Sequence, residues 1–418
     1  MRWDAQLFLF KGFCILGHHA ISIYPIREIF TDEAIWSRER MKKIEIIAAV
    51  FLTICIALSA TASAGSLPTL PSGKENPLPI LYPELNSKPA PSWVTEGLRA
   101  TYYATVDKGV NQQGRPEAGE AILQTDVVAL EGSFAATSTS MYVQGPLGYL
   151  RPMAGGGFGS IVPAGCGDFW CSPEVLAKAT ERNDDDVTII RGPVEVAGTG
   201  YQAIRFEVKH QGLKYSMTYD ENTGLLLHHR YDILSADGAT LETGIIDFRN
   251  RQQVEIPWAG GAAPTWLRPG QMTTYQGQTV YQIPGTMASP FPVTLQAEVV
   301  SVQAKSSIVK WTFVGQGAPS IPAYTASGAR QLLGFWLPEV ALEIDEVGEV
   351  DADPDTGITI TVIQNDQNGI VFEQTNDRDY QRHLTYDKAT GKLIQSYEEQ
   401  LTEAMTNTVQ KTLLQLAS

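Results

Sequence analysis

The side chains of this sequence that could do chemistry are few and widely spaced. Cys166 and Cys171 stand in "GCGDFWCSPE" as a Cys-x4-Cys pair. In an exported protein two cysteines so close form a disulfide that pins one loop. The spacing is not the Cys-x-x-Cys of a redox centre, and only Asp168 stands near them as a further metal ligand. Four histidines lie beyond residue 64, at His210, His228, His229 and His383. Adjacent residues of a strand point to opposite faces, so His228 and His229 do not chelate one metal. A hydrolase would need His228, His229 or His383 to meet a carboxylate and a nucleophile in a cleft. Ser160 stands in Gly-Phe-Gly-Ser and not in a Gly-x-Ser-x-Gly elbow. The glycine-rich "RPMAGGGFGSIVPAG" around it lacks the Lys-Ser/Thr of a phosphate-cradling loop.

Asp351, Asp353 and Asp355 alternate in "DEVGEVDADPDTG" as in a calcium loop. Thr356 occupies the place of the sharp-turn glycine and no glutamate closes the loop, so a solvated acidic loop is expected, with weak calcium binding as the alternative. No nucleophile, base and orienter recur as a set. The chain therefore reads as a non-enzyme that needs no cofactor.

Thr-Tyr-Asp-x-x-Thr-Gly-x-Leu occurs twice, from Thr218 and from Thr385. Aspartate suits the start of a tight turn and glycine takes the left-handed position that closes it. Asp220, Gly224, Asp387 and Gly391 are accordingly expected as hairpin turns and not as catalysts. Four more landmarks repeat in the same order: "WVTEGLRATY" with "WLRPGQMTTY", "DVV" with "EVV", "FWCSPEV" with "FWLPEV", and "IIDF" with "LLQL". Their nearly constant offset marks an internal duplication, with a loop deleted from the second copy between "EVV" and "FW".

The elements that must carry these landmarks are mostly strands. Runs such as "YQAIRFEVKH", "LKYSMTYD", "SSIVKWTFV" and "GITITVIQ" are short, rich in β-branched and aromatic residues, and bounded by turn formers. The expected fold is mainly β with minor α: two tandem antiparallel curved-sheet domains resembling half-barrels, with one short helix each. Ser172, Pro173 and Glu174 open the first helix, and "LPEVALEI" supplies the second. Leu401, Met405, Val409 and Leu413 have helical spacing, but the repeat places a hairpin there.

The N-terminal region reads as processing signal and not as fold. Residues 1–40 precede Met41 and are expected to be a leader or an over-extended start. Residues 41–64, "MKKIEIIAAVFLTICIALSATASA", have the charged start, apolar run and small-residue end of a signal peptide. An uncleaved membrane anchor is the alternative. A proline-rich tether (65–90), repeat 1 (91–255), a linker (256–263) and repeat 2 (264–418) follow. The whole chain carries a formal charge of -15 with no basic cluster, which removes nucleic acid and anionic lipid surfaces as partners.

A strand, Tyr-Asp-x-x-Thr-Gly and a second strand in an exported β-rich unit resembles the hairpins of periplasmic lipoprotein-carrier half-barrels and related lipid-binding domains. The resemblance implies a curved sheet wrapped on a helix, with an apolar cavity for acyl chains. Phe169, Trp170, Phe335 and Trp336 are the candidate ligand contacts at such a cavity, with core or lid packing as the competing role. The Cys-x4-Cys loop and the tandem arrangement are not part of that pattern. The expectation is an exported or periplasmic protein that binds a lipid-like ligand. A cell-envelope interaction module with filled cores and a protein partner is the alternative, and an envelope hydrolase comes third.

Overall fold

The computed structural model describes residues 76–417, apart from 111–115, 154–156, 185, 211, 236–237, 259, 286–287, 289, 315–322 and 345–346. The leader, the signal segment and the first part of the tether lie outside the described residues.

Polar and apolar residues alternate along most strands, so each strand has one face for a core and one for water. In the first half these are β1 (Leu98–Val110), β2 (Pro116–Glu131), β3 (Phe134–Gln144), β4 (Leu150–Pro152), β5 (Phe158–Pro163), β6 (Arg182–Asn183), β7 (Val187–Val196), β8 (Thr199–His210), β9 (Leu213–Asp220), β10 (Leu226–Leu234) and β11 (Thr240–Gln253). In the second they are β12 (Met272–Gln282), β13 (Pro290–Val302), β14 (Ser306–Val314), β15 (Ala323–Gly328), β16 (Gly348–Ala352), β17 (Thr359–Asp366), β18 (Gly369–Thr375), β19 (Tyr380–Tyr386), β20 (Leu393–Glu403) and β21 (Thr408–Leu416).

One sheet runs β4-β3-β2-β1-β11-β10-β9-β8-β7-β6, with β5 also on β3, and the other runs β15-β14-β13-β12-β21-β20-β19-β18-β17-β16. The two orders match strand for strand, β5 with β15 through β6 with β16. β4 falls in the stretch that the second half lacks. Both paths are open and antiparallel, so neither sheet closes into a barrel. Each sheet with its core is called a lobe below.

In the first lobe Ile204, Phe206, Tyr215, Met217 and Tyr219 face a core that takes in Val175 and Leu176 of the helix Pro173–Lys178. Pro173 sits in the first turn, and Glu174 pairs with Lys88 at 2.5 Å, although Ser172 supplies no side-chain cap. The second lobe repeats this with the shorter helix Glu339–Leu342 and buried Ala341. At the C-terminus β20 and β21 form the hairpin, Leu401 pairing with Val409, so strand partners override the helical spacing.

Two segments read as a tether and a linker pack on the cores where they are described. From Asn76 the proline-rich stretch folds into a helix (Leu78–Leu81) and a 3-10 turn (Pro83–Asn86) that put Leu78 and Leu85 wholly inside the first core. Pro77 and Pro83 stand at the helix starts, where a missing N–H costs nothing, so proline promotes these turns instead of extending the chain. In the segment between the lobes Trp258 is buried in the second core, its indole donating to the Ala329 carbonyl at 2.9 Å.

The lobes are joined by side chains that leave the outward faces of the sheets. Val128, Ala129, Ala136 and Ile161 pack on Ile308 and Ala326, and Ile122 and Tyr142 pack on Ile358 and Tyr380. At Gly159 the strands β5 and β15 approach so closely that a Cβ would lie 1.7 Å from the Ala326 nitrogen.

The acidic loop of the second lobe completes this joint, so it is packed and not the solvated loop expected of it. Asp353-Pro-Asp-Thr-Gly is a third Asp-x-x-Thr-Gly turn: the Asp353 carboxylate accepts the N–H groups of Asp355 and Thr356 at 2.8 and 3.0 Å, and Gly357 has φ +68°. Its tip presses on the first sheet. Arg99 reaches Asp126 at 2.8 Å, Asp351 at 3.0 Å and Asp353 at 2.8 Å, while Arg249 and Asn250 hold Asp355 at 3.0 and 2.7 Å. The three aspartates are thus bound to guanidinium and amide groups, and the described residues contain no cluster of His, Cys, Asp and Glu fit for a metal ion.

Burial works against the Asp353 carboxylate, but Arg99, the N–H groups of Thr356 and Asp355, and Gln124 outweigh it and hold its pKa below the usual range. At Asp351 burial wins over Arg99 and pushes the pKa up. Asp353 therefore contributes stability that is present above about pH 3.9 and is lost as pH falls through its lower folded value. Asp351 has the opposite sign, since its protonation favours the folded state. Two variants test the joint by urea denaturation across pH. Arg99→Met leaves buried carboxylates unpaired and should cost roughly 3–5 kcal/mol at neutral pH. Asp353→Asn should also destabilise and should flatten the stability loss below about pH 4. An unchanged acid limb would show that Asp353 is not its source.

Candidate functional site

The repeated landmarks meet at the Tyr-Asp-x-x-Thr-Gly turns. Asp220 accepts the Thr223 N–H at 3.1 Å and Asp387 that of Thr390 at 2.8 Å, with Gly224 and Gly391 at φ +77° and +69°. The Trp93 indole donates to the Thr223 carbonyl at 2.7 Å, and Trp266 to that of Thr390 at 2.7 Å. The Tyr102 hydroxyl donates to the Leu226 carbonyl at 2.9 Å, and Tyr275 to that of Leu393 at 2.7 Å.

The Phe-Trp segments pair by backbone with the exit of the same turns: Leu226 N–H donates to the Phe169 carbonyl at 3.0 Å, and Leu393 N–H to the Phe335 carbonyl at 3.1 Å. This leaves the candidate ligand contacts sealed. Phe169, Trp170, Phe335 and Trp336 are 1%, 0%, 2% and 0% exposed. The Trp170 indole donates to the Ala164 carbonyl at 2.8 Å and the Trp336 indole to the Ser307 hydroxyl at 2.9 Å, so even their polar edges are committed internally.

Beside them Cys166 and Cys171 stand as thiols, paired across an antiparallel bridge and buried. Hydrogen bonding with Cys171 and burial push the Cys166 thiol up, the reverse of an activated nucleophile. Ser160 meets a carboxylate and no imidazole: its hydroxyl and that of Thr137 donate to Asp168, whose pKa burial raises despite those two bonds.

The open feature of the first lobe lies on the other face of its sheet. β8 runs past the end of β9, since Ala203 pairs with Asp220, so the tip of the β7–β8 hairpin projects beyond the sheet and folds over its outward face. Beneath it is a recess of about 400 Å³ lined by Val194, Glu195 and Val196 of the tip and by the outward side chains of β8 to β11. Cross-strand register sets these in rows. Arg205, Thr218, His228 and Asp247 form one, Glu207, Ser216 and Arg230 the next, and Lys214 and Asp232 the third.

Most of these charges are paired. Arg230 grips Asp232 through two nitrogens at 3.0 and 2.9 Å, and His228 Nδ1 meets Asp247 at 2.6 Å. Arg205 and Lys214 share one carboxylate, Glu207, at 3.3 and 3.6 Å.

The histidines fall as strand geometry requires. His228 points into the recess, while His229 points to the core and stacks on Tyr215 at 6.3 Å. In the second lobe His383 pairs with Glu373 at 2.9 Å. The recess brings His228 and Asp247 together with Ser216 and Thr218, which is the nearest approach to a hydrolase set. Among the described residues no hydrogen bond joins His228 to either hydroxyl, and both hydroxyls sit mid-strand, where the backbone N–H groups are spent in the ladder and form no oxyanion hole. The arrangement binds charge and holds no activated nucleophile. The sequence signal for it was the alternating polar series Arg205-x-Glu207, Lys214-x-Ser216-x-Thr218 and His228-x-Arg230-x-Asp232, which resembles any solvent-facing half of a strand.

No family model matches the chain, and no curated protein matches it. Solved structures that it is similar to include MucB, with 14% identity over 60% of this chain and 90% of that chain and a TM-score of 0.20. MucB in complex with MucA(peri) gives 12% identity over 80% and 91%, with a TM-score of 0.19. A DUF3598-family protein of unknown function from Nostoc punctiforme gives 8% over 77% and 96%, with a TM-score of 0.15. At these TM-scores the functional reading rests on the geometry alone.

Two measurements check the knot around the turns. Ser172 N–H donates to the Gly165 carbonyl, which flanks Cys166 and Cys171 as a non-hydrogen-bonded pair. Such pairs have Cα atoms about 4.5 Å apart, inside the disulfide range. Non-reducing mass spectrometry of protein recovered from an oxidising compartment should therefore show it about 2 Da lighter than the dithiol, and alkylation before reduction should fail. Gly224 has a second demand on it, since a Cβ there would lie 1.8 Å from the Cys171 carbonyl oxygen, whereas Gly198 at φ +75° has nothing within 4 Å. Gly198→Ala should cost only the left-handed penalty of about 1–2 kcal/mol, and Gly224→Ala clearly more, in thermal or urea unfolding.

Proposed function

We propose that the chain is an exported, non-enzymatic binding protein that engages a polar ligand or an envelope partner through the outward recess of its first lobe. The carrying observation is a contrast between faces: the apolar faces of both sheets are spent on cores and on the joint between lobes, while a recess of about 400 Å³ stays open on the polar face. That volume is within the ~300–1,000 Å³ usual for ligand sites. Export follows from the reading of Met41–Ala64, and no helix among the described residues is long and apolar enough to cross a membrane.

The filled interiors favour an interaction module over a lipid carrier. A lipid-like ligand at Phe169, Trp170, Phe335 and Trp336 would have to displace rings that are at most 2% exposed and break the indole hydrogen bonds that hold them. Native mass spectrometry of protein purified without detergent should show the bare chain mass, and a fluorescent fatty acid should not bind. A copurifying lipid mass, lost on Phe169→Ala, would sink this reading in favour of the carrier.

A further inference from the structure

We propose that the recess takes an anionic sugar, a carboxylated or phosphorylated saccharide, with its acid group held by Arg205 and Lys214. The proposal rests on the recess being the binding site and names what it binds. The duplication supplies an internal control, because the second sheet carries the same rows at the same register. Where the first lobe has Arg205, Thr218, His228 and Asp247, the second has Val371, Thr385, Gln395 and Gln415. Glu207, Ser216 and Arg230 correspond to Glu373, His383 and Tyr397, and Lys214, Asp232 and Thr243 to Gln381, Glu399 and Lys411.

The carboxylates Glu207 and Asp232 recur as Glu373 and Glu399, so an acidic ledge belongs to the common scaffold. The cations Arg205, Lys214 and Arg230 have no counterpart. The second lobe's Lys411, which replaces Thr243, has Glu399 as its partner at 3.2 Å. The overhang differs in the same way: β7 and β8 have 10 and 12 residues, whereas β17 and β18 have 8 and 7. The lengthened hairpin that builds the recess and the cations beneath it are thus found together in one lobe and are both missing from the other.

The chemistry of the lining selects the ligand. Two cations share the single carboxylate of Glu207 at distances too long for a tight pair, and Arg205 is 45% and Lys214 37% exposed at the side chain. At that corner two cations face one carboxylate, so their N–H groups are available to a carboxylate or phosphate, while the recess as a whole holds four carboxylates against three cations. Around them stand acceptors for hydroxyl groups: Glu195 on the overhang, Asp247 with its carboxylate 49% exposed, and the Ser216 hydroxyl. A molecule with one acid group and several hydroxyls satisfies both. Val194 and Val196 close the top by packing alone, and among the described residues no Phe, Tyr or Trp lines the recess, so an aryl or acyl anion gains little there.

The test is a titration of the full chain, followed by NMR or calorimetry, with three probes: a hexuronate, a hexose 6-phosphate and the neutral hexose. At least one anionic probe should bind with the neutral sugar about tenfold weaker or more, and whichever anion binds tighter identifies the acid group. Arg205→Gln with Lys214→Gln should weaken the anion about tenfold without changing the unfolding temperature, while Lys411→Gln in the second lobe should leave binding unchanged. Equal binding of the neutral sugar, an unaffected double variant, or no binding by any probe overturns the ligand class. The functional reading fails separately, through a copurifying lipid.

Discussion

Both lobes depend on tying one hairpin turn to the core through an indole. The Thr223 carbonyl accepts from Trp93 in a part-buried setting, and the Thr390 carbonyl accepts from Trp266 at the surface of the second lobe. Each indole packs its ring against the core while its N–H closes the turn. Once those rings are in place they need neighbours, and Phe169 and Phe335 pack against them with ring centroids 6.3 and 6.0 Å away. The Phe-Trp segments are then held against the turn exits by backbone bonds, and the adjoining short helix is set over the core. Tryptophan, tyrosine, turn and Phe-Trp pair recur together because each supplies what the next requires.

The architecture was legible because the duplication made it so. Matched landmarks gave the strand sequence, the C-terminal hairpin and the missing segment of the second half without any local certainty about individual strands. Three features were not legible. Asp353 to Gly357 repeats the turn motif, but it lacks the preceding Thr-Tyr, and its extra aspartates suggested a solvated loop, whereas the partner that buries it, Arg99, lies 254 positions away. The prolines of the tether suggested an extended chain, whereas Leu78 and Leu85 reveal their burial only against strands far along the sequence. The recess was hidden for a related reason. Its residues are the ordinary polar halves of four alternating strands, and what makes them a site is the length of one hairpin and how it bends, which composition does not encode.

Gene duplication followed by divergence leaves a record in such a protein. The cores, the turns and the ledge formed by Glu207 and Asp232 persist in both halves with small changes. The outward faces have separated. One part of the first lobe's face accepts the Asp353 turn as a joint, while another part carries cations and an overhang that the second lobe does not have. The second lobe kept the polar rows but filled them with Tyr397, His383 and Lys411, whose partners Glu399 and Glu373 are close at hand.

The contact at Gly159 bears on how the halves can be handled. β5 and β15 lie at the ends of their sheets, where unpaired backbone groups invite pairing with other chains. Here each rim is capped by the other lobe, at a spacing that only a glycine permits. A gene divided at residues 256–263 would yield two products with raw strand edges and a bared apolar patch, and each would be inclined to polymerise. The duplicated halves therefore amount to a single unit of solubility, with each lobe acting as the other's built-in chaperone.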